Sequence, residues 1–292
     1  MKKKDVVERI LSYHPELPDY HGCDDYKSGF EGEECTGIAV ALVPTVDVIR
    51  RAAACGCNLL ITHEPIYYQS PDYPTWFAEG KNHVAEQKQR MIEDARLTIW
   101  RDHDHMHAQQ PDAIFSGVLS CLGWEHYLVK EAALPEMAYL LELPEQNAME
   151  LAAFLAKTIG LNGIRLIGNP QAKIRRLALV AHLYPGAFGE TKEMPTGYTD
   201  YSVEVIRMME DLNVQALIPG EIIEWTVLSY IRDAAFLGED KVCFNIGHFN
   251  WEELGMKAFA GTIRDLVDDR LPVKYLATGD IATYYVPGRD VI

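Results

Sequence analysis

The stretch "TGIAVALVPTVDVIRRAAACGCNLLITHEP", Thr36 to Pro65, decides the fold. It opens with an apolar, β-branched run, Thr36 to Val43, of the kind that fills a buried strand. Thr45 then stands where a helix N-cap is wanted and Gly56 where a helix ends, so the residues between them read as a helix. "NLLIT", Asn58 to Thr62, is the next strand, and its carboxyl end delivers His63, Glu64 and Pro65 into a loop. Strand, helix and strand in succession argue for an α/β sheet, in which functional loops gather at the carboxyl ends of strands.

The alternation continues outward. The polar stretch from Glu79 to Ala95 is helical in pattern, and "RLTIW", Arg96 to Trp100, is a further strand. That strand delivers "IWRDHDHMHA", which holds His103, His105 and His107. Histidines at alternate positions face one way on a strand, and histidines four apart do so on a helix. Metal binding is therefore the first chemistry to weigh, against a polar surface loop as the plain alternative. "PDAIFSGVLSCLG" opens a helix at Pro111 and closes it at Gly123. A second α/β unit follows: "MAYLLEL" as a strand, "NAMELAAFLAKTIG" as a helix ended by Gly160, and "GIRLIG" and "RRLALVAHL" as strands. A polar loop, "YPGAFGETKEMPTGYTD", separates these from the helix "YSVEVIRMMEDL". "VQALIPGEIIEWTVLSYIRDA" gives a strand, a Pro-Gly turn and a helix. "VCFNIGHFNWEELGMKAFAGTIRDLV" gives a short strand, then His248 at its end, then a helix that carries Glu252. The division expected from this pattern is 1–128 plus 235–292 for one domain and 129–234 for the other.

Composition narrows the function. With 48% hydrophobic and 24% charged residues the 292-residue chain has the balance of an ordinary globular protein. Its net charge of −16 repels a phosphate backbone, and no basic stripe offers a local exception, so nucleic-acid binding is disfavoured. No apolar run reaches membrane-spanning length, and Asp5, Glu8 and Arg9 interrupt what would be the apolar core of a signal peptide. A cytoplasmic location is expected. The six cysteines are scattered, and Cys55 and Cys57 form C-x-C around Gly56, which points to packing rather than a zinc ribbon or a redox pair.

"HFNWE" sets His248 and Glu252 four apart at a helix start, so both side chains can point to one side. Imidazole and carboxylate are the donors that suit zinc, iron or manganese. Taken in order, "LLITHEPIYY", "HDHMHA", "IPGEI" and "IGHFNWE" make the chain similar to the NIF-three-like family, proteins often labelled GTP cyclohydrolase 1 type 2 homologs. That family's pattern runs His-His-Pro after a strand, then His-x-x-x-Asp-Ala, then Thr-Gly-Glu, then Gly-His-x-x-x-Glu. The resemblance implies two α/β domains with a dinuclear metal site in a cleft between or beside them, and a ring-shaped homo-oligomer, typically a hexamer. It places the metal ligands on His63, Glu64, His107, His248 and Glu252. Glu64 stands where the family has its second His, and His107 where it has Asp, so a set of three histidines and two carboxylates is kept by exchange. Pro219 replaces the Thr of Thr-Gly-Glu and leaves Gly220 and Glu221 in place.

Two divalent ions with two ligand carboxylates would carry a net positive charge, which suits an anionic substrate despite the acidic chain. The function this implies is a dinuclear metal-dependent hydrolase of a small substrate, by nucleotide ring-opening or by phosphoester or cyclic-amide hydrolysis. A non-catalytic metal-binding scaffold that works through protein partners is the alternative. His103 is open to three roles: ligand, orienting residue or proton shuttle. Glu221 either holds a ligand histidine or caps the following helix, and with His103 it is the proton-transfer candidate. His105 and Asp104 are expected to face solvent or to stand outside the ligand set. His14, His21, His83, His126 and His182 read as structural. Tyr67 and Tyr68 read as packing.

Overall fold

The structure is a computed structural model, described here for residues 1–69, 72, 82–130, 133–184, 186–187, 192–194 and 197–285. It divides into two compact units, Met1–Cys121 with Glu252–Gly279, and Leu122–Trp251 with Asp280–Ile292.

The first unit is built on a sheet in the order β1 (Asp25–Tyr26), β4 (Thr98–Arg101), β3 (Leu59–Thr62), β2 (Ile38–Ala41) and β12 (Val273–Tyr275). β4, β3, β2 and β12 are parallel, and β1 closes the edge antiparallel to β4. β2, β3 and β4 are buried at every position, as the apolar runs predict for strands covered on both faces. The helix expected after β2 is α2 (Val46–Ala54). The Thr45 side chain accepts from the Val48 N–H at 3.1 Å, and Gly56 takes the left-handed backbone (φ 76°) that ends the helix and lets β3 begin. α2 and α3 (His83–Asp94) are amphipathic. Val48, Ile49 and Ala52 of the one and Ala85 and Ile92 of the other join Leu60, Ile66 and Ile99 in one core cluster. The expected helical stretch begins at Glu79, but positions 79–81 lie outside the described residues. Cys57 is buried in this cluster with Cys55 packed against it, in keeping with the packing expectation. Tyr67 is buried there too, whereas Tyr68 is exposed.

The second unit's sheet runs β5 (Ala138–Asn147), β7 (Lys173–Val180), β10 (Ala216–Pro219), β11 (Val242–Asn245), β6 (Arg165–Gly168). β7, β10 and β11 are parallel, with β5 and β6 antiparallel at the edges. Asn147 caps the helix Ala148–Ile159, and Gly160 ends it with φ 84°. The helices Tyr201–Asp211 and Val227–Phe236 lay Val205, Met208, Met209, Val227, Leu228 and Ile231 on a core shared with Leu140, Ala178 and Leu217. Part of the expected polar loop forms a small hairpin, Lys192–Met194 with Gly197–Thr199.

The carboxyl-side boundary differs from the expected one at 235. β11 pairs in parallel with β10 and antiparallel with β6, so its hydrogen bonds tie it to the second sheet. The division falls between Trp251 and Glu252, inside the long helix His248–Leu266. No helix among the described residues is long and apolar enough to cross a membrane.

Candidate metal centre

Parallel pairing of β3 with β4 aligns Thr62 with Arg101, so the residues that follow the two strands leave the sheet side by side. His63 follows directly. After β4 the chain turns at Asp102 and His103 into a short helix, Asp104–Ala108, which carries His107 one turn beyond His103. Asp24 fixes that turn: its carboxylate accepts the backbone N–H of His103 (2.7 Å), Asp104 (3.0 Å) and His105 (2.9 Å). Negative charge at the unsatisfied amides of a helix start is favourable. His63, His103 and His107 thereby offer three nitrogens within 4.8 Å of one another.

The three rings are tethered alike, each through Nδ1 to an oxygen. His63 Nδ1 is 3.0 Å from the backbone oxygen of Asp102, His103 Nδ1 is 2.7 Å from Asp104 Oδ1, and His107 Nδ1 is 2.7 Å from Asp112 Oδ2. A carbonyl or carboxylate oxygen accepts only, so each Nδ1 carries the hydrogen and each Nε2 is left with its lone pair. That is how proteins prepare imidazole for a metal. His63 is wholly buried, and burial, with His103 and His107 nearby, holds its pKa well below the ordinary histidine value. It is therefore neutral, and its Nε2 has no hydrogen-bond partner among the described residues. A buried, neutral, unpartnered nitrogen lone pair is a costly arrangement unless an ion takes it up. For His107 burial pulls the pKa down, but the bond to Asp112 and the charges of Asp112 and Glu252 outweigh it and leave the pKa raised. The hydrogen bond from His103 holds the Asp104 carboxyl well below the usual range.

Carboxylates complete the cluster. Glu252 Oε2 lies 3.8 Å from His63 Nε2, and Glu64 and Glu252 offer oxygens within 4.8 Å of each other. Three imidazoles and two carboxylates, with His63, Glu64 and Glu252 buried and His103 and His107 half-buried, fit zinc, iron or manganese.

In the second unit, β7 and β10 are parallel with Val180 opposite Pro219, so the segments that follow them also emerge together. His182 Nδ1 accepts the Glu221 N–H at 3.0 Å, and Glu221 Oε1 lies 3.2 Å from His248 Nδ1. The His182 and His248 rings meet edge to face at 4.7 Å. His248 begins the helix that carries Glu252 one turn later. Glu221 thus bridges two histidines, His182 through its backbone N–H and His248 through its carboxylate.

Of the residues singled out in the sequence, the first unit brings together His63, Glu64, His103, His107 and Glu252, and the second joins Glu221 to His248. Of the two places expected for His105, solvent or outside the ligand set, exposure does not hold: it is buried behind the three-histidine cluster, with Nδ1 2.7 Å from Asp24 Oδ2. His14 is buried against Asp102, with Nε2 3.0 Å from Oδ2. Sequence reasoning missed Asp24, Asp102 and Asp112, the residues that hold the turn and the rings. Only Asp112 carried a signal, as the Asp before a helix. Its Oδ1 caps that helix at Phe115 N–H while Oδ2 holds His107. His182 carried none.

Residues 27–188 match the model of the Duf34/NIF3 (NGG1p interacting factor 3) family. A Clostridium acetobutylicum protein named GTP cyclohydrolase 1 type 2 homolog is 24% identical over 204 residues, 64% of this chain and 72% of that one. The crystal structure of Staphylococcus aureus protein SA1388 superposes with a TM-score of 0.66 at 15% identity and covers 98% of this chain and 99% of its own. A Bacillus cereus protein related to NIF3 gives a TM-score of 0.68 at 11% identity, with 98% and 99% covered. At such identities the likeness speaks for the fold.

Proposed function

The chain belongs to the Duf34/NIF3 family, whose model spans more than half of it, and from that premise we propose that it is a metal-dependent hydrolase acting on a small anionic substrate. The observation that carries the reading is the set of three imidazoles whose Nδ1 atoms are each bonded to an oxygen, with the buried Nε2 of His63 left without a hydrogen-bond partner. His63, His103 and His107 hold one divalent ion, with Glu252 beside His63. His103 is then a ligand rather than a proton shuttle. Glu64 and Glu252 of the first unit offer carboxylate oxygens to a second ion, and in the second unit Glu221 keeps the His248 ring in place. When bound, such ions supply Lewis acidity and positive charge, which the acidic chain otherwise lacks. A cytoplasmic location and a ring-shaped homo-oligomer, a hexamer, belong to the same reading and are supported by the family resemblance.

Metal content per chain, measured by plasma mass spectrometry on untagged protein purified without chelators, tests this. About two equivalents of a transition metal are expected, as in dinuclear hydrolases, and His63→Ala should lose most of one of them. Unchanged content in His63→Ala refutes the ligand set. Metal without turnover on phosphoesters, cyclic amides or nucleotides favours the scaffold role.

A further inference from the structure

The loop "YHGCD", Tyr20 to Asp24, supplies none of the ligands in the reading above, yet it closes around the residue that holds one of them. Among the described residues the Asp104 carboxylate takes four donors. Oδ1 accepts the His103 Nδ1–H at 2.7 Å and the Cys23 thiol at 3.4 Å; Oδ2 accepts the Tyr20 hydroxyl at 2.6 Å and the Cys23 backbone N–H at 3.0 Å. Three of the four come from the loop.

The Tyr20 hydroxyl has one way to point. Its oxygen accepts the Asp24 N–H at 2.7 Å, and an amide N–H only donates, so the single phenolic hydrogen is left for Asp104. Burial and the bond to Asp104 raise the pKa of the phenol, which keeps that hydrogen in place. The ring lies against His105, with centroids 4.8 Å apart. Gly22 makes the close approach possible: a Cβ there would run into Asp104 Oδ2 and the Tyr20 hydroxyl.

His103 needs this support more than its neighbours do. Asp112, which holds His107, is itself fixed by the helix it caps. Asp104 is the chain neighbour of the histidine it holds, so the two could shift together. Its anchors are Tyr20 and Cys23, 84 and 81 residues away. An acceptor fixed in this way keeps the hydrogen of His103 on Nδ1 and the lone pair on Nε2.

We propose that Tyr20 is a positioning residue of the metal centre, whose hydroxyl acts through Asp104 to set the tautomer and the aim of the His103 ring. This rests on the reading above, in which His103 is a ligand.

The first readout is the imidazole nitrogen correlation spectrum of the full chain, labelled with ¹⁵N and free of metal, assigned with His103→Gln and His107→Gln. Wild-type His103 should show the Nδ1–H form; an Nε2–H His103 overturns the inference without any other variant. Tyr20→Phe keeps the ring beside His105 and removes only the hydroxyl. It should bring in the Nε2–H form at His103 while His107, held by Asp112, keeps its own form; a general loosening of the fold would move both. Zinc competition against a fluorescent chelator is the second readout. Tyr20→Phe should bind zinc about tenfold more weakly, the lower end of what losing an orienting partner costs. Added to Asp104→Asn, it should cost nothing further, because the two act in series. An unchanged His103 spectrum in Tyr20→Phe, an unchanged zinc affinity, or losses that simply multiply in the double variant refutes the proposal. A wild type that takes up no zinc is a different result: it refutes the metal reading and with it the ligand role of His103, while the metal-free spectra still decide whether Tyr20 sets the tautomer.

Discussion

Asp112 is where the metal centre and the fold can be pulled apart by one atom. Its Oδ1 accepts the Phe115 N–H at 3.0 Å and caps the helix Ala113–Leu122, and its Oδ2 holds His107 Nδ1 at 2.7 Å. Asn caps a helix about as well as Asp, so at pH 9, above the range in which His107 charge contributes, Asp112→Asn should leave stability within about 0.5 kcal/mol of wild type. It replaces a charge-assisted acceptor with a neutral amide, and loss of such an orienting carboxylate typically costs about 10–100-fold in metal affinity, or about 1.4–2.7 kcal/mol. Asp112→Ala loses both roles and should cost a further ~1 kcal/mol of stability through the missing cap. The assay is zinc competition against a fluorescent chelator, run beside urea unfolding of the metal-free proteins. If Asp112→Asn binds zinc as tightly as wild type, or if its affinity falls only as far as its fold is weakened, then His107 is not a ligand held by Asp112.

Other consequences are equally concrete. In the metal-free protein the raised His107 pKa contributes stability that is fully present below the unfolded histidine value and is lost as pH rises through the folded one. Urea unfolding at pH 6 and pH 9 should show wild type losing, over that interval, a margin over Asp112→Asn; equal pH dependence in the two would contradict the pairing. Lys88 is buried against the Ile66 carbonyl and the Tyr67 ring, and burial lowers its pKa to about 8. A lysine depressed in this way binds fewer protons folded than unfolded, so stability should rise between about pH 8 and 10.5. The full gain over Lys88→Met is about 3 kcal/mol; a flat difference would show that Lys88 is not held in a buried, proton-shedding site. A Cβ at Gly255 would lie 2.8 Å from the Ile114 backbone oxygen, whereas one at Gly261 on the same helix meets nothing within 4 Å. Gly255→Ala should therefore lose about 1–3 kcal/mol by overpacking, and Gly261→Ala should be neutral or slightly stabilising; thermal melts that rank them the other way would refute the close helix contact.

Much of this was legible in the chain itself because it is local. Thr45, Gly56, Asn147 and Gly160 mark helix ends through side-chain capping or left-handed backbone, which depend on neighbours a few residues away. β2 announced itself as an unbroken apolar run, and β3 and β4 as largely apolar ones, since strands covered on both faces show few polar side chains. His63 and His248 could be placed at strand ends for the same reason. What could not be read was which segments pair. Strand β11 resembles the strands of the first unit as closely as those of the second, and only its hydrogen bonds to β10 and β6 assign it.

The site divides along the same line. Sequence alone selected imidazoles and carboxylates of the right chemistry, because residue type fixes what a side chain can bind. Tertiary structure decided which nitrogen each imidazole presents, because that depends on a second group distant along the chain: Asp102 for His63, Glu221 for both His182 and His248. Asp24 shows it most plainly. Nothing near it in the sequence marks it as part of the site, yet its carboxylate holds three amides and His105 behind the cluster, a position that exists only once the chain has folded.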